Sequence, residues 1–212
     1  KQIISDTPFT HGERNITING LIWMGDKSTM QRRIEEKLAK GFRCIKLKIG
    51  GINFEEELEL LHFIRSSFSP EALELRLDAN GAFSHGNALE RLKRLSDFSI
   101  HSIEQPIRQG QAEKMTQICE SSPIPIALDE ELIGFRSDKD KRLMLDSIRP
   151  QFIILKPALC GGFREAEKWI AEAEKRAIGW WATSALESNV GLNAIAQWVS
   201  TYNLSMPQGL GT

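Results

Sequence analysis

The sequence predicts an α/β fold in which parallel strands, each followed by a helix, close into a barrel. Three observations carry this. From residue 16 onward, short β-rich runs alternate strictly with amphipathic stretches. Polar residues end these β-rich runs at intervals of about one strand–helix unit. The first strand–helix junction, "WMGDKST", lacks the G-x-G-x-x-G turn that an open, doubly wound nucleotide-binding sheet carries at that place. At 212 residues the chain holds one core, near the lower end of the size range of an eightfold barrel.

The elements follow in order. "ITINGLIW" (16–23) reads as a strand and "STMQRRIEEKLAKG" (28–41) as a helix with Ser28 as its cap and Gly41 as its stop. "RCIKLKIG" (43–50) is the next strand. "FEEELELLHFIRSSF" (54–68) is a helix with Phe54, Leu58, Leu61 and Ile64 on one face. Strand "LELRLDAN" (73–80), helix "GNALERLKRLSDF" (86–98), strand "IHSIEQP" (100–106) and helix "QAEKMTQICESS" (111–122) continue the alternation. Strand "IPIALDE" (124–130), helix "DKDKRLMLDSI" (138–148), strand "QFIILKP" (151–157) and helix "GFREAEKWIAEAEKRA" (162–177) come next. Strand "GWWATSAL" (179–186) and helix "NVGLNAIAQWVS" (189–200) follow, and "QGLG" (208–211) is a candidate eighth strand. Residues 1–15 stand outside the repeat and are expected to be a remnant of an upstream region or a linker; residues 16–212 form the barrel domain.

Composition narrows the function classes. With 27 basic and 28 acidic residues the net charge is −1, so no global field draws the chain to nucleic acid or an acidic membrane. Small molecules are the expected partners, and oligomeric state is not legible. Cys44, Cys119 and Cys160 are odd in number and lack a C-x-x-C spacing, which argues against a disulfide framework and a zinc knuckle. A reducing cytoplasm is the expected location. No signal peptide is evident, and no apolar run approaches the ~20 residues of a membrane span.

The polar residues at the strand ends carry the chemistry. Lys46 and Lys48 end the second strand, Asp78 the third, Glu104 the fourth, Asp129 the fifth, Lys156 the sixth and Ser184 the seventh. From Lys48 onward their spacings are 30, 26, 25, 27 and 28 residues, so a barrel gathers them in one mouth. A single acid at a strand end commonly caps the next helix. Three on consecutive strands repel unless a cation sits among them, and an all-oxygen set suits a hard ion, Mg²⁺ or alternatively Mn²⁺. Lys46 and Lys48 are two apart and share a strand face. Crowding and burial are expected to lower their pKa toward the ~7–8 of a general base, a change of about 4 kcal/mol. With Lys156 on the opposite flank, the set suits proton abstraction beside a carboxylate.

At these residues the chain resembles the barrel domain of the enolase superfamily, in the branch that holds muconate-lactonizing enzymes, dipeptide epimerases and o-succinylbenzoate synthases. "KLK" (46–48) is similar to the family's K-x-K, "LDAN", "IEQP" and "ALDE" to its three metal-ligand strand ends, and "LKP" to its second catalytic lysine. The resemblance implies Lys48 and Lys156 as catalytic groups and Asp78, Glu104 and Asp129 as Mg²⁺ ligands. "LKPALCGGF" (155–163) and "TSALESNVGLNAIAQW" (183–198) most resemble the o-succinylbenzoate synthases. That branch implies a lyase that dehydrates a cyclohexadiene carboxylate on the way to menaquinone. Supporting roles then fall to Lys46 beside the base, to Arg76 and Asn80 around the metal or substrate, and to Ser184 and the backbone near Gly191 at substrate oxygens. The family's N-terminal capping domain is mostly absent from this chain.

Rival readings stay open from the residues alone. A dipeptide epimerase or N-acylamino-acid racemase uses the same two lysines, a non-catalytic barrel only binds its ligand, and a Schiff-base enzyme uses Lys48 or Lys156 as nucleophile. His11, His62, His85 and His101 show no metal-pair spacing and read as surface or packing residues. Trp180 and Trp181 read as packing residues of the barrel wall.

Overall fold

The computed structural model describes residues 3–135 and 137–211. The first seven strand runs become short strands and the amphipathic runs helices, after a short helix before the repeat: α1 (Pro8–His11), β1 (Gly20–Ile22), α2 (Lys27–Ala39), β2 (Cys44–Lys48), α3 (Phe54–Ser67), β3 (Glu74–Asp78), α4 (His85–Ser96), β4 (Ser102–Glu104), α5 (Ala112–Ser121) and β5 (Ile126–Leu128). A 3₁₀ turn, Glu130–Leu132, leads to α6 (Asp138–Ile148), β6 (Phe152–Leu155), α7 (Pro157–Cys160), α8 (Phe163–Glu174), β7 (Gly179–Ala182) and α9 (Asn189–Val199). Local chemistry sets the boundaries. The cap of α2 is Asp26 and not the expected Ser28: its carboxylate accepts the Thr29 N–H at 2.7 Å, and the Ser28 hydroxyl donates to Asp26 at 2.8 Å. A carboxylate satisfies the free amide and also complements the helix dipole, which a hydroxyl does not. Gly41, at φ 79°, takes the left-handed turn that ends the same helix.

All seven strands run parallel in sequence order, β1 to β7. The expected eighth strand shrinks to a pair of bridges that join the two edges, Gln208 against Ile18 and Gly209 against Thr183. The backbone bonds are made on both sides: Gln208 N–H donates to Thr17 O at 2.8 Å and Gly209 N–H to Ala182 O at 2.8 Å. The ring is therefore closed, which leaves no open edge between β7 and β1.

Strand alternation sorts the side chains into two environments. Ile45, Leu47, Leu75, Leu77 and Ile103 face outward and join the main core with helix residues such as Leu61, Leu92 and Ile118. The alternate residues of each strand face the axis, where Ala127, Ile154 and Trp181 form a small separate apolar cluster. Trp180 points out, edge-on to Tyr202 with centroids 5.0 Å apart, whereas Trp181 lies inside the ring. The expected packing roles of both hold. At the other end of the chain, the Ile4 N–H donates to Gln197 at 2.7 Å and the Thr7 hydroxyl meets that of Ser200 at 2.8 Å, so the segment before the barrel lies along α9.

Candidate active site

Parallel register puts Lys48 level with Asp78, and Asp78 level with Glu104, at the C-terminal rim where ligands gather in such barrels. Lys46 starts one layer lower, level with Arg76, but its long stem carries Nζ up to 2.9 Å from Asp78 Oδ2 and into contact with Glu104. Lys48 Nζ donates to Asp78 Oδ2 at 2.6 Å and to Asn80 Oδ1 at 2.7 Å. From the far side of the ring, Lys156 pairs with Asp129. The Trp23 ring, which sequence reasoning did not single out, lies 5.6 Å from Lys48 Nζ. A cavity of about 280 Å³ opens here, with Lys46, Lys48 and Lys156 among its polar lining and Leu21, Trp23 and Leu186 among its apolar walls. Its mixed lining suits a small carboxylate with a hydrocarbon body.

At Lys46 the electrostatics depart from the expectation of a lysine depressed by crowding. Burial does work to lower Lys46, but the Glu104 and Asp78 carboxylates outweigh it and raise the ammonium well above its usual range. Lys156 is likewise pushed down by burial and, more strongly, up by Asp129 and Glu104. At Lys46, direct contact with acids reverses the sign that crowding alone implied. Burial favours the neutral form of Asp78, yet Lys46 and Lys48 hold its carboxyl well below the usual carboxylate range. Glu104 is the surplus acid of the group: burial first, then the Asp78 charge, raise it well above its usual value against the pull of Lys46. Ion pairs this deeply buried recover little net stability against their desolvation, so stability is a weak reason for their presence.

Each of the three carboxylates is engaged by a lysine, and among the described residues no group of three or more His, Cys, Asp and Glu side chains closes around one point. The residues nevertheless fit a hard divalent cation. Asp78, Glu104 and Asp129 offer oxygen only, and Glu104 Oε1 is buried without a hydrogen-bond partner among the described residues. An unpaired buried carboxylate oxygen is costly, and a cation would offset that cost.

The supporting residues divide. Asn80 reaches the mouth, in the left-handed conformation at φ 43°. Ser184 lines the cavity; its hydroxyl donates to Glu187 at 2.9 Å and accepts from the Leu186 N–H at 3.0 Å. Arg76 does not reach the mouth. It points toward the opposite end of the ring, donating to Glu74 at 2.6 Å and to the Pro207 carbonyl at 2.8 Å, with its guanidinium 4.2 Å from the centre of the Trp181 ring. Gly191 lies inside α9 and does not line the cavity; an added Cβ would lie 2.9 Å from Glu187 Cβ, so close helix–loop packing accounts for a glycine there.

The family model described as "Enolase C-terminal domain-like" matches residues 29–209. The chain belongs to that family. Among curated enolase-type relatives, an o-succinylbenzoate synthase from Desulfotalea psychrophila is 61% identical over 96% of this chain and 55% of its own length. An N-succinylamino acid racemase from Thermus thermophilus is 37% identical over 76% of this chain and 41% of its own. Among solved structures, MenC from Desulfotalea psychrophila superposes with a TM-score of 0.91 at 59% identity, covering 98% of this chain and 57% of that one. A muconate cycloisomerase from Pseudomonas fluorescens gives 0.81 at 27% identity, covering 92% and 54%. The chain thus spans about half the length of the curated relatives it matches. The barrel read from strand–helix alternation is the family's barrel domain.

Proposed function

We propose that the protein is an o-succinylbenzoate synthase, a cytoplasmic lyase that removes water from 2-succinyl-6-hydroxy-2,4-cyclohexadiene-1-carboxylate in menaquinone biosynthesis. The observation that carries this reading is the 61% identity to a synthase of that name across 96% of the chain. The site chemistry supports it. Asp78, Glu104 and Asp129 would hold Mg²⁺, which when bound would supply positive charge to a substrate carboxylate. Lys48, released from Asp78, takes the proton next to that carboxylate. Lys156, on the opposite flank, offers an ammonium to the negative charge that develops. The electron pair of that carbon–hydrogen bond, held first on the carboxylate, then forms the ring double bond as the carbon–oxygen bond at position 6 breaks, and the proton that Lys48 took joins the departing hydroxide as water. Aromaticity drives the step, and the apolar walls Leu21, Trp23 and Leu186 suit the ring. Lys46 stays charged between Asp78 and Glu104 and positions both acids.

A second reading rests on the 37% identity to an N-succinylamino acid racemase, since lysines on two flanks also suit removal and return of a proton at a stereocentre. The test uses the full-length protein. Loss of the diene's ultraviolet absorption, abolished by a chelator, restored by Mg²⁺ and absent in Lys48→Ala, is the expected result. Deuterium uptake with inversion in an N-succinylamino acid, with no change in the diene, would replace the dehydratase reading with the racemase. Binding without turnover of either compound would leave a ligand-binding barrel.

A further inference from the structure

Glu130 follows the proposed metal ligand Asp129, yet its side chain turns away from the Asp129–Lys156 pair. The 3₁₀ turn that it begins sends neighbouring acids in different directions: Glu131 goes to Gln105 Nε2 at 3.1 Å and the Gly110 N–H at 3.0 Å. Glu130 instead accepts a hydrogen bond from Asn80 Nδ2 at 3.0 Å, linking the loop after β5 to the loop after β3 across the end of β4. The other end of the same amide accepts from Lys48 Nζ at 2.7 Å. Donor and acceptor polarity runs one way through the three groups. A lysine only donates and a carboxylate only accepts, so together they leave the Asn80 amide a single orientation. Asn80 is also held by its own N–H on Asp78 Oδ1 at 3.1 Å, in a backbone conformation few residues other than glycine and asparagine adopt readily. The second Glu130 oxygen, Oε2, is buried without a partner among the described residues, so this carboxylate is not placed for its own solvation.

We propose that Glu130 is a positioning residue for Lys48: it orients the Asn80 amide, whose oxygen holds the Lys48 amine at the angle from which it meets the substrate. The inference rests on the reading of Lys48 as the base and deepens it. A general base works only within hydrogen-bond reach and aim of its proton, so a group that fixes its angle acts on turnover more than on binding.

The experiment compares full-length Glu130→Ala, Glu130→Gln, Asn80→Ala and Glu130→Ala/Asn80→Ala proteins over a range of Mg²⁺ concentrations. Glu130→Ala is expected to lower kcat by about two- to tenfold, the range that one hydrogen bond's net contribution spans, with KM little changed. Glu130→Gln, which retains an acceptor oxygen, restores most of it. In the Asn80→Ala background Glu130→Ala costs nothing further, because it acts through that amide. A KM effect without a kcat effect, losses that multiply in the double variant, a folded Glu130→Gln as poor as Glu130→Ala, or a loss recovered by raising Mg²⁺ each overturns the inference. If Glu130→Ala does not fold, the shorter Glu130→Asp, unable to reach Asn80, takes its place. A readout independent of turnover separates this from the proposed function: acetic anhydride labelling resolved by peptide mass spectrometry. Lys48 is expected to label about two- to tenfold faster in Glu130→Ala with Lys156 unchanged; equal rates at Lys48 overturn the positioning role even if the wild type dehydrates nothing.

Discussion

Closure of the ring depends on Gly209, and replacing it with alanine puts that closure to a quantitative test. A Cβ at this position would lie 2.4 Å from Thr183 Oγ1 and 3.1 Å from both Thr183 Cβ and Cγ2. Three atoms of one short side chain cannot all retreat, and the backbone is tied to Ala182 O at 2.8 Å. Overpacking of this kind costs about 1–3 kcal/mol. For a domain of this size that lowers Tm by roughly 2–12 °C. Thr183→Ala in the same chain removes two of the three opposing atoms and should recover most of the loss. Gly86→Ala is the control: nothing lies within 4 Å of its added Cβ in α4, so it should stabilise by about 0.4–1 kcal/mol. Differential scanning calorimetry of the four proteins reads the outcome. An unchanged Tm for Gly209→Ala, or no recovery in the double variant, would refute closure through Gln208 and Gly209.

Burial raises Glu57 above its usual range although the Gly50 and Ile52 amides lower it, so the native state binds this proton more tightly than the unfolded chain. Its contribution is then full below about pH 4.3 and is lost as pH rises through the raised native value; urea midpoints should fall over that window and fall less in Glu57→Gln, an equal slope speaking against the assignment. Burial pushes Cys44 and Cys119 up to about 12 and Cys160 to about 11, so iodoacetamide at pH 8 should leave all three intact until the chain is unfolded; rapid native labelling would contradict the packing. Trp169, fully buried and edge-on to Phe135 at 5.8 Å, should cost about 3–5 kcal/mol when replaced by alanine, measured by urea unfolding, and a loss below ~1 kcal/mol would mean that α8 is not packed as described.

The strand-end residues were legible because strand alternation is a local property: Lys46 and Lys48, and likewise Arg76 and Asp78, share parity whatever the rest of the chain does. Parity does not give height, however. Arg76 and Asp78 face the same interior, but two residues along a strand separate the rim from the layer below, and Arg76 is drawn toward Glu74 and Trp181. Ser28 was the wrong cap by two positions because Asp26 and Ser28 are both good capping residues, and only the path of the chain chooses between them. Glu130 carried no period signal, since the 3₁₀ turn that aims it begins where the strand pattern stops.

Order along the chain was enough to determine the parallel barrel, the outward apolar and inward polar faces, and the strands that deliver Lys48, Asp78, Glu104, Asp129 and Lys156. These follow from periodicity and from spacing of one strand–helix unit. Tertiary structure alone decided that two residues near Gln208 complete the ring, that Lys46 reaches Glu104, that carboxylates outweigh crowding and raise Lys46 and Lys156, and that Asn80 joins Lys48 to Glu130. Each is a distance across the ring, set by strand register and curl. Coulomb and hydrogen-bond energies depend on those distances, which no count of residues along the chain contains.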